Sequence, residues 1–202
     1  MFSIGATQTA MTAMEPELSA EAALIVRARG GDSSAFEELM EIHEQLVLRT
    51  AGRLLGRREE ARDAAQEVFL RLYRHLPSIR QEHDLKPWLY RVTVNVCRDI
   101  ARKNYRVPTL PLEEHEIEPQ SADGTSIIED LDLARRRELM RSALGRLPEG
   151  ERAAVILRDI EGLSSAEAAR ALGSSAATIR SQVASARVKL RRFCLSAMRR
   201  GI

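Results

Sequence analysis

The residues of this chain that could do chemistry fall into three groups, and each suits binding better than bond making. Between Lys86 and Arg106 there are six Lys or Arg against one acid, Asp99, a net charge of +5. Within that stretch Trp88, Arg91, Asn95, Arg98, Arg102 and Arg106 recur at three- and four-residue steps and fall on one strip of a helix. Cations there can pair with phosphates, an amide can read a base edge and an aromatic ring can stack on a base. A second basic group, residues 174–202, holds seven Lys or Arg and no acid. Its Ala176, Ala177, Thr178, Arg180, Ser181, Ala184, Ser185 and Arg187 form the outward face of a helix. In a major groove Arg pairs bidentately with guanine and small residues meet a thymine methyl. The third group, Asp63, Gln66, Glu67, Leu70 and Arg74, mixes acids, an amide and an exposed leucine, which fits a protein partner better than nucleic acid. Plainer readings stand beside two of these: the mixed-charge face as only solvated, and Trp88 as a half-buried core residue.

Catalysis has no foothold. There is no set of nucleophile, base and orienting group, and no phosphate loop. Cys97 and Cys194 lie far apart, and His43, His75, His83 and His115 are isolated, so no metal-ligand spacing occurs. The chain is expected to be no enzyme and to need no cofactor and no metal.

The elements that must position these groups are helices. Arg58 to His75 carries Ala61, Ala65, Val68 and Leu72 at helical spacing as a buried stripe, with the third group opposite. Pro77 ends that helix. After the polar loop Ser78 to Leu85, a second helix starts at Lys86 with Pro87 in its first turn. It buries Leu89, Val92, Val96 and Ile100, with Cys97 beside them as a small core residue. Upstream, Ser19 caps a short helix to Arg29, stopped by Gly30 and Gly31. A longer helix then begins after Asp32-Ser33-Ser34 and runs to Gly56, burying Phe36, Leu39, Met40, His43, Leu46, Val47, Thr50 and Leu54. These four helices make one small domain, 19–106, behind a disordered tail, 1–18. Pro108, Pro111, Pro119 and Gly124 mark 107–130 as a flexible acidic linker. A second domain, 131–202, has helices from Leu131 to Arg146 and from Glu151 to Ile160, and then a helix-turn-helix. The helix-turn-helix opens at Ser164-Ser-Ala-Glu167, which has capping-box spacing, turns at Gly173 and continues past Leu190. Ala168, Ala169, Leu172, Ile179, Val183, Ala186 and Leu190 supply its core.

Two groups of strings are specific beyond charge and periodicity. Asp63-Ala-Ala-Gln66-Glu-Val-Phe-Leu-Arg-Leu-Tyr73, Trp88-Leu-Tyr-Arg-Val-Thr-Val-Asn95 and Asp99-Ile-Ala-Arg102 resemble region two of the extracytoplasmic-function sigma factors of bacterial RNA polymerase. Leu147-Pro-Glu, Arg158-Asp-Ile-Glu-Gly-Leu-Ser164 and Thr178-Ile-Arg-Ser-Gln-Val-Ala-Ser-Ala-Arg187 resemble region four of the same family, in the same order along the chain. The resemblance implies an all-α factor of two small helical domains that binds core polymerase. Asp63, Gln66, Glu67, Leu70 and Arg74 would dock on the β′ clamp helices, and the second domain would meet the β flap. The loop and second helix, with Trp88, Arg91, Asn95, Arg98 and Arg102, would capture a flipped base of the −10 element. Thr178, Arg180, Ser181, Ser185 and Arg187 would read the −35 duplex. The linker would either thread toward the polymerase active-centre cleft or serve as a plain tether. An anti-sigma factor is implied as a regulating partner. This chain departs from the family in having Gln182 and Ser185 where Arg is common, and no Gly before Thr178. It also lacks the row of melting aromatics of housekeeping sigma factors, which implies dependence on a well-matched promoter.

The charge distribution agrees with contact at both ends. The formal total is only +2, yet residues 107–134 carry −8 and residues 135–202 carry +9. No apolar run approaches the roughly 20 residues of a membrane span. Residues 1–14 lack the basic and apolar stretches of an export signal, so a cytoplasmic protein is expected.

Overall fold

The computed structural model describes residues 20–79, 85–106 and 127–199, and these are all helix and turn. The expected disordered tail, 1–18, the expected cap Ser19 and the linker residues 107–126 lie outside the described residues, as does most of the loop before the basic helix that starts at Leu85.

Four helices form the N-terminal half: α1 (Ala20–Arg29), α2 (Ser33–Leu55), α3 (Arg58–His75) and α4 (Leu85–Arg106). Helix α2 begins where Asp32 caps it, its carboxylate accepting from the backbone N–H groups of Ser34 and Ala35. It ends at Gly56, whose positive φ of 79° lets the chain turn out of the helix. Leu39, Val47, Ala51 and Thr50 on α2 are buried against Ala61, Ala64, Val68 and Leu72 of α3 and Leu89, Val92 and Val96 of α4. The small alanines of α3 let α2 approach closely. After His75 a short 3₁₀ turn, Leu76–Ser78, takes up Pro77 without a further α-helical turn.

The C-terminal half comprises α5 (Ile127–Gly145), α6 (Glu149–Val155) with a π-helical extension Ile156–Ile160, α7 (Ser165–Leu172) and α8 (Ala176–Arg199). Ala153, Ile156, Leu157, Ala168, Ile179, Val183 and Ala186 form its centre. The capping box is formed in full: the Glu167 backbone N–H donates to Ser164 Oγ at 3.2 Å, and the Ser164 N–H donates to Glu167 Oε2 at 2.7 Å. Gly173, at φ 62°, makes the turn into α8. There Ser175 Oγ accepts from the Thr178 N–H at 3.0 Å and starts the last helix.

Four helix starts differ from the sequence expectation. Helix α2 starts at Ser33, directly after its cap Asp32, rather than after Ser34. Helix α4 starts at Leu85, one residue early. Helix α5 starts at Ile127 rather than Leu131, because no Pro or Gly interrupts the chain after Gly124. Helix α6 starts at Glu149, directly after Pro148, which ends the preceding turn and cannot itself be the interior of a helix.

The larger difference concerns α4. The sequence reading gave it one buried stripe, with Cys97 beside it, and one basic strip, but Tyr90 and Val94 are buried along with Cys97. They face the C-terminal half: α4 packs on α7, and α2 touches the π-helical turn. The buried core is therefore continuous between the two halves.

Candidate nucleic-acid interface

Helix α3 presents its outer stripe as expected. Asp63, Gln66, Leu70 and Arg74 are exposed, with Leu70 at 45%. Glu67 is half-buried and accepts from Arg71 Nε at 2.7 Å, one helical turn on. Arg71 also stands 3.8 Å from Asp99 of α4. Tyr73, which sequence reasoning left out, is the most exposed large apolar residue among those described, at 62%. Its ring meets that of Phe36 edge-on with centroids 5.2 Å apart. The signal for it was present, since Leu70 and Tyr73 are three residues apart on one face.

On α4, Arg91, Asn95 and Arg102 are exposed in line. Trp88 is half-buried, its ring stacked on His75 at 5.1 Å and 8° between planes. One face of the indole is thus covered by His75, which leaves at most the other for a base. Arg98 is placed differently from the rest of the strip. Its Nε donates to Glu149 Oε1 of α6 at 2.8 Å. The side chain of Arg106 lies outside the described residues. Arg102 also joins Asp63, Glu67, Arg71, Asp99 and Lys103 around a shallow groove of ≈ 520 Å³ between α3 and α4, so part of the basic strip borders the expected protein-docking stripe.

In the helix-turn-helix, Arg180, Ser181 and Ala184 of α8 are exposed. Thr178 is exposed too, but its hydroxyl lies 2.8 Å from that of Ser175 in the helix cap. Arg187 forms a two-pronged pair with Asp159, Nε to Oδ2 at 2.8 Å and Nη2 to Oδ1 at 2.7 Å. That hydrogen bond holds the Asp159 carboxyl below its usual range and raises the Arg187 guanidinium. Ser185, expected to face DNA, instead turns inward. Its Oγ donates to Glu151 Oε1 at 3.0 Å, and Lys189 Nζ donates to the same oxygen at 2.7 Å. Glu151 is accordingly held below its usual range, chiefly by Lys189. Gln182 also faces α6: a Cβ placed on Gly150 would lie 2.8 Å from its amide nitrogen. Positions 182 and 185 therefore line the seam between α8 and α6. Cations missing there are missing from the inner flank of α8, not from its exposed tip.

Glu149, Glu151, Asp159 and Glu161 were not singled out from the sequence, and they partner the basic residues. They sit at the start and end of α6 and its extension, so their spacing follows helical turns, but nothing local indicates which distant cation each meets. Burial pushes the Cys97 thiol up to about 12, as expected of a small core residue. No three His, Cys, Asp or Glu among the described residues gather as a metal site. No described helix is long and apolar enough to cross a membrane.

Two family models match the chain, Sigma-70 region 2 over residues 39–107 and Sigma-70 region 4 over residues 137–190. The chain is 36% identical over 173 residues to the ECF RNA polymerase sigma factor SigM of Mycobacterium tuberculosis, covering 86% of this chain and 84% of that one. It is 30% identical over 170 residues to the ECF RNA polymerase sigma-E factor of Escherichia coli K12, covering 81% and 88%. Among solved structures, CnrH in complex with the cytosolic domain of CnrY superposes with a TM-score of 0.63 at 26% identity, over 87% of this chain and 97% of that one. The sigma factor RpoE of Bartonella quintana, solved with the anti-sigma factor NepR, shares the fold with a TM-score of 0.62 at 24% identity, over 79% and 96%.

Proposed function

Because the chain belongs to the extracytoplasmic-function sigma factors of bacterial RNA polymerase, we propose that it carries core polymerase to one class of promoters through two separate DNA contacts. Its work is binding, and the bond making belongs to the polymerase. The β′ clamp helices dock on Asp63, Gln66, Glu67, Leu70 and Arg74, with Tyr73 extending the apolar part of that face, and the β flap meets the C-terminal half. Arg91, Asn95, Arg98 and Arg102, beside Trp88, hold the −10 strand, where phosphate pairing and a captured base offset the few kcal/mol of unstacking. Arg180, Ser181 and the exposed edge of Thr178 read the −35 duplex, Arg187 joins them on leaving Asp159, and Ser185 fixes the seat of the helix from behind. The factor acts in the cytoplasm, and an anti-sigma factor that covers its exposed docking residues controls it.

The observation that carries this reading is the division of α3. Ala61, Ala65, Val68 and Leu72 are buried while Asp63, Gln66, Leu70 and Arg74 stand exposed on the same helix. Leu70 and Tyr73, three residues apart on α3, leave an apolar pair in water beside that polar stripe, which suits a protein partner. Titration of the labelled chain with purified core polymerase tests it. Asp63→Ala combined with Leu70→Ala weakens the complex by about tenfold or more, since tenfold corresponds to only about 1.4 kcal/mol. Unchanged affinity would remove α3 from the interface and favour a helix-turn-helix regulator that acts without polymerase.

A further inference from the structure

Trp88 is the single tryptophan of the chain, and it is half-buried against the core at the start of α4. The ring of His75, the last residue of α3, lies over it with centroids 5.1 Å apart and 8° between planes. Nearly parallel rings at that separation form an offset stack.

His75 is exposed, yet its ring is held in place. The Ser78 hydroxyl donates to the His75 carbonyl at 2.8 Å, and the same oxygen stands 2.8 Å from Nδ1. A hydroxyl has one proton; with that proton on the carbonyl, Nδ1 carries its own hydrogen and donates to the oxygen. The backbone beneath is fixed as well. Pro77 restricts the turn, Leu76 and Ile79 are buried, and the Ile79 carbonyl accepts from Arg29 Nη1 of α1 at 3.3 Å. On the other side, the N–H of buried Leu85, the first residue of α4, donates to Glu21 Oε1 of α1 at 3.2 Å. Helix α1 thus pins the backbone that follows His75 and the backbone that precedes Trp88.

An exposed imidazole adds little to the core, but it decides how Trp88 meets a ligand. An indole open on both faces can turn about its two side-chain torsions and take a base on either. With one face covered, its plane is set, and only the surface still in water can take a base. Arg91 and Asn95 are exposed further along the same strip, so a nucleotide stacked there has a cation for its phosphate and an amide beside it. Setting the plane in the free protein removes part of the ordering cost of binding.

We propose that His75 is a positioning residue for strand binding: stacked on Trp88 and held by Ser78, it fixes the indole so that one unstacked base seats against it. The proposal rests on the strand-binding role given to α4 above; the arrangement of His75, Trp88 and Ser78 does not.

The test uses the full chain at low salt and two single-stranded DNA probes of about 12 nucleotides, one of random sequence and one abasic with the same phosphates. The wild type binds the random strand about tenfold more tightly than the abasic one, as expected for one stacked base. His75→Ala loses that preference while binding the abasic strand as the wild type does, and His75→Phe, which restores a planar ring, regains it. Emission of Trp88 is quenched by the random strand in the wild type and far less in His75→Ala. A residue that served only the fold would not separate the two strands. An alanine variant that keeps the preference, or that binds the random strand more tightly, overturns the proposal. So does a wild type without the preference, or a phenylalanine variant that behaves like the alanine one. Should His75→Ala lose helix content by circular dichroism, Ser78→Ala decides, since it frees the imidazole and keeps both rings. A smaller loss of the same preference is then expected, and an unchanged preference overturns the proposal. A wild type that binds neither strand overturns the preceding reading of α4 instead.

Discussion

The two basic helices, α4 and α8, differ in what some of their cations touch. On α4 no ion pair joins the exposed Arg91 or Arg102 to a described residue, whereas Arg98 is engaged by a carboxylate of the other half. On α8 the basic residues nearest the core are paired within their own half, Arg187 with Asp159 and Lys189 with Glu151. Side chains that must wrap a displaced single strand gain from being free to follow it. A helix that must sit in a major groove gains from carboxylates that fix its seat, since phosphates can replace them: exposed pairs contribute only about 0–1 kcal/mol. Each helix thus carries both kinds of arginine, Arg98 held beside the open Arg91 and Arg102 on α4, and Arg187 held beside the exposed Arg180 on α8.

The comparison breaks most visibly if the halves are independent. Leu72→Ala in α3 and Ile156→Ala in the other half each remove a fully buried side chain and are expected to cost about 2–5 kcal/mol. With one continuous core, each substitution lowers a single melting transition followed by circular dichroism. Two separable transitions, each moved by only one of the substitutions, would mean the halves fold separately.

Salt dependence sharpens the contrast. Arg91→Ala or Arg102→Ala reduces the salt slope of single-strand binding by about one, as expected for a lost phosphate contact. Asp159→Asn frees Arg187 and removes a negative charge near the duplex. It is expected to tighten binding to −35 duplex a few-fold at low salt, with the gain fading as salt rises. Weaker binding would mean that the Asp159 pair orients Arg187 for its contact.

Much of this architecture was legible in the chain. The limits of α3, its buried alanines and the capping box at Ser164 follow from spacing alone, because each is a local property of one helix or one turn. The packing of the halves was half legible. Tyr90, Val94 and Cys97 follow one another at four and three residues, a second apolar stripe on α4 that called for a second partner. The partner itself could not be read, because Glu161 and Arg53 are 108 residues apart and no local pattern selects one arginine from the many available. Ser185 turned inward for the same reason: its place on α8 is set by α6, which the spacing within α8 does not reveal.

Smaller effects concern the caps. Ser164→Ala leaves the Glu167 N–H without its acceptor and is expected to cost about 1 kcal/mol, measured by denaturant midpoint. Asp32 is held down to about 2 by the Ser34 hydroxyl, the Ala35 N–H and Arg27. Its folded value is below the ordinary 3.8, so its contribution is complete above about pH 4 and is lost as pH falls toward 2. Comparing Asp32→Asn with the wild type, the difference in melting temperature is expected at pH 5 and to shrink by pH 2. A difference that persists unchanged would assign it to cap geometry alone.

The central claim is that this chain selects promoters for polymerase through both helices, and start-site mapping tests it most directly. Bacterial core polymerase transcribes sheared DNA of the source organism with and without the protein, and the 5′ ends of the transcripts are sequenced. Discrete new starts that share two upstream elements, lost on Arg91→Ala or Arg180→Ala, are the predicted result. A protein that binds core polymerase yet yields no new starts would contradict it.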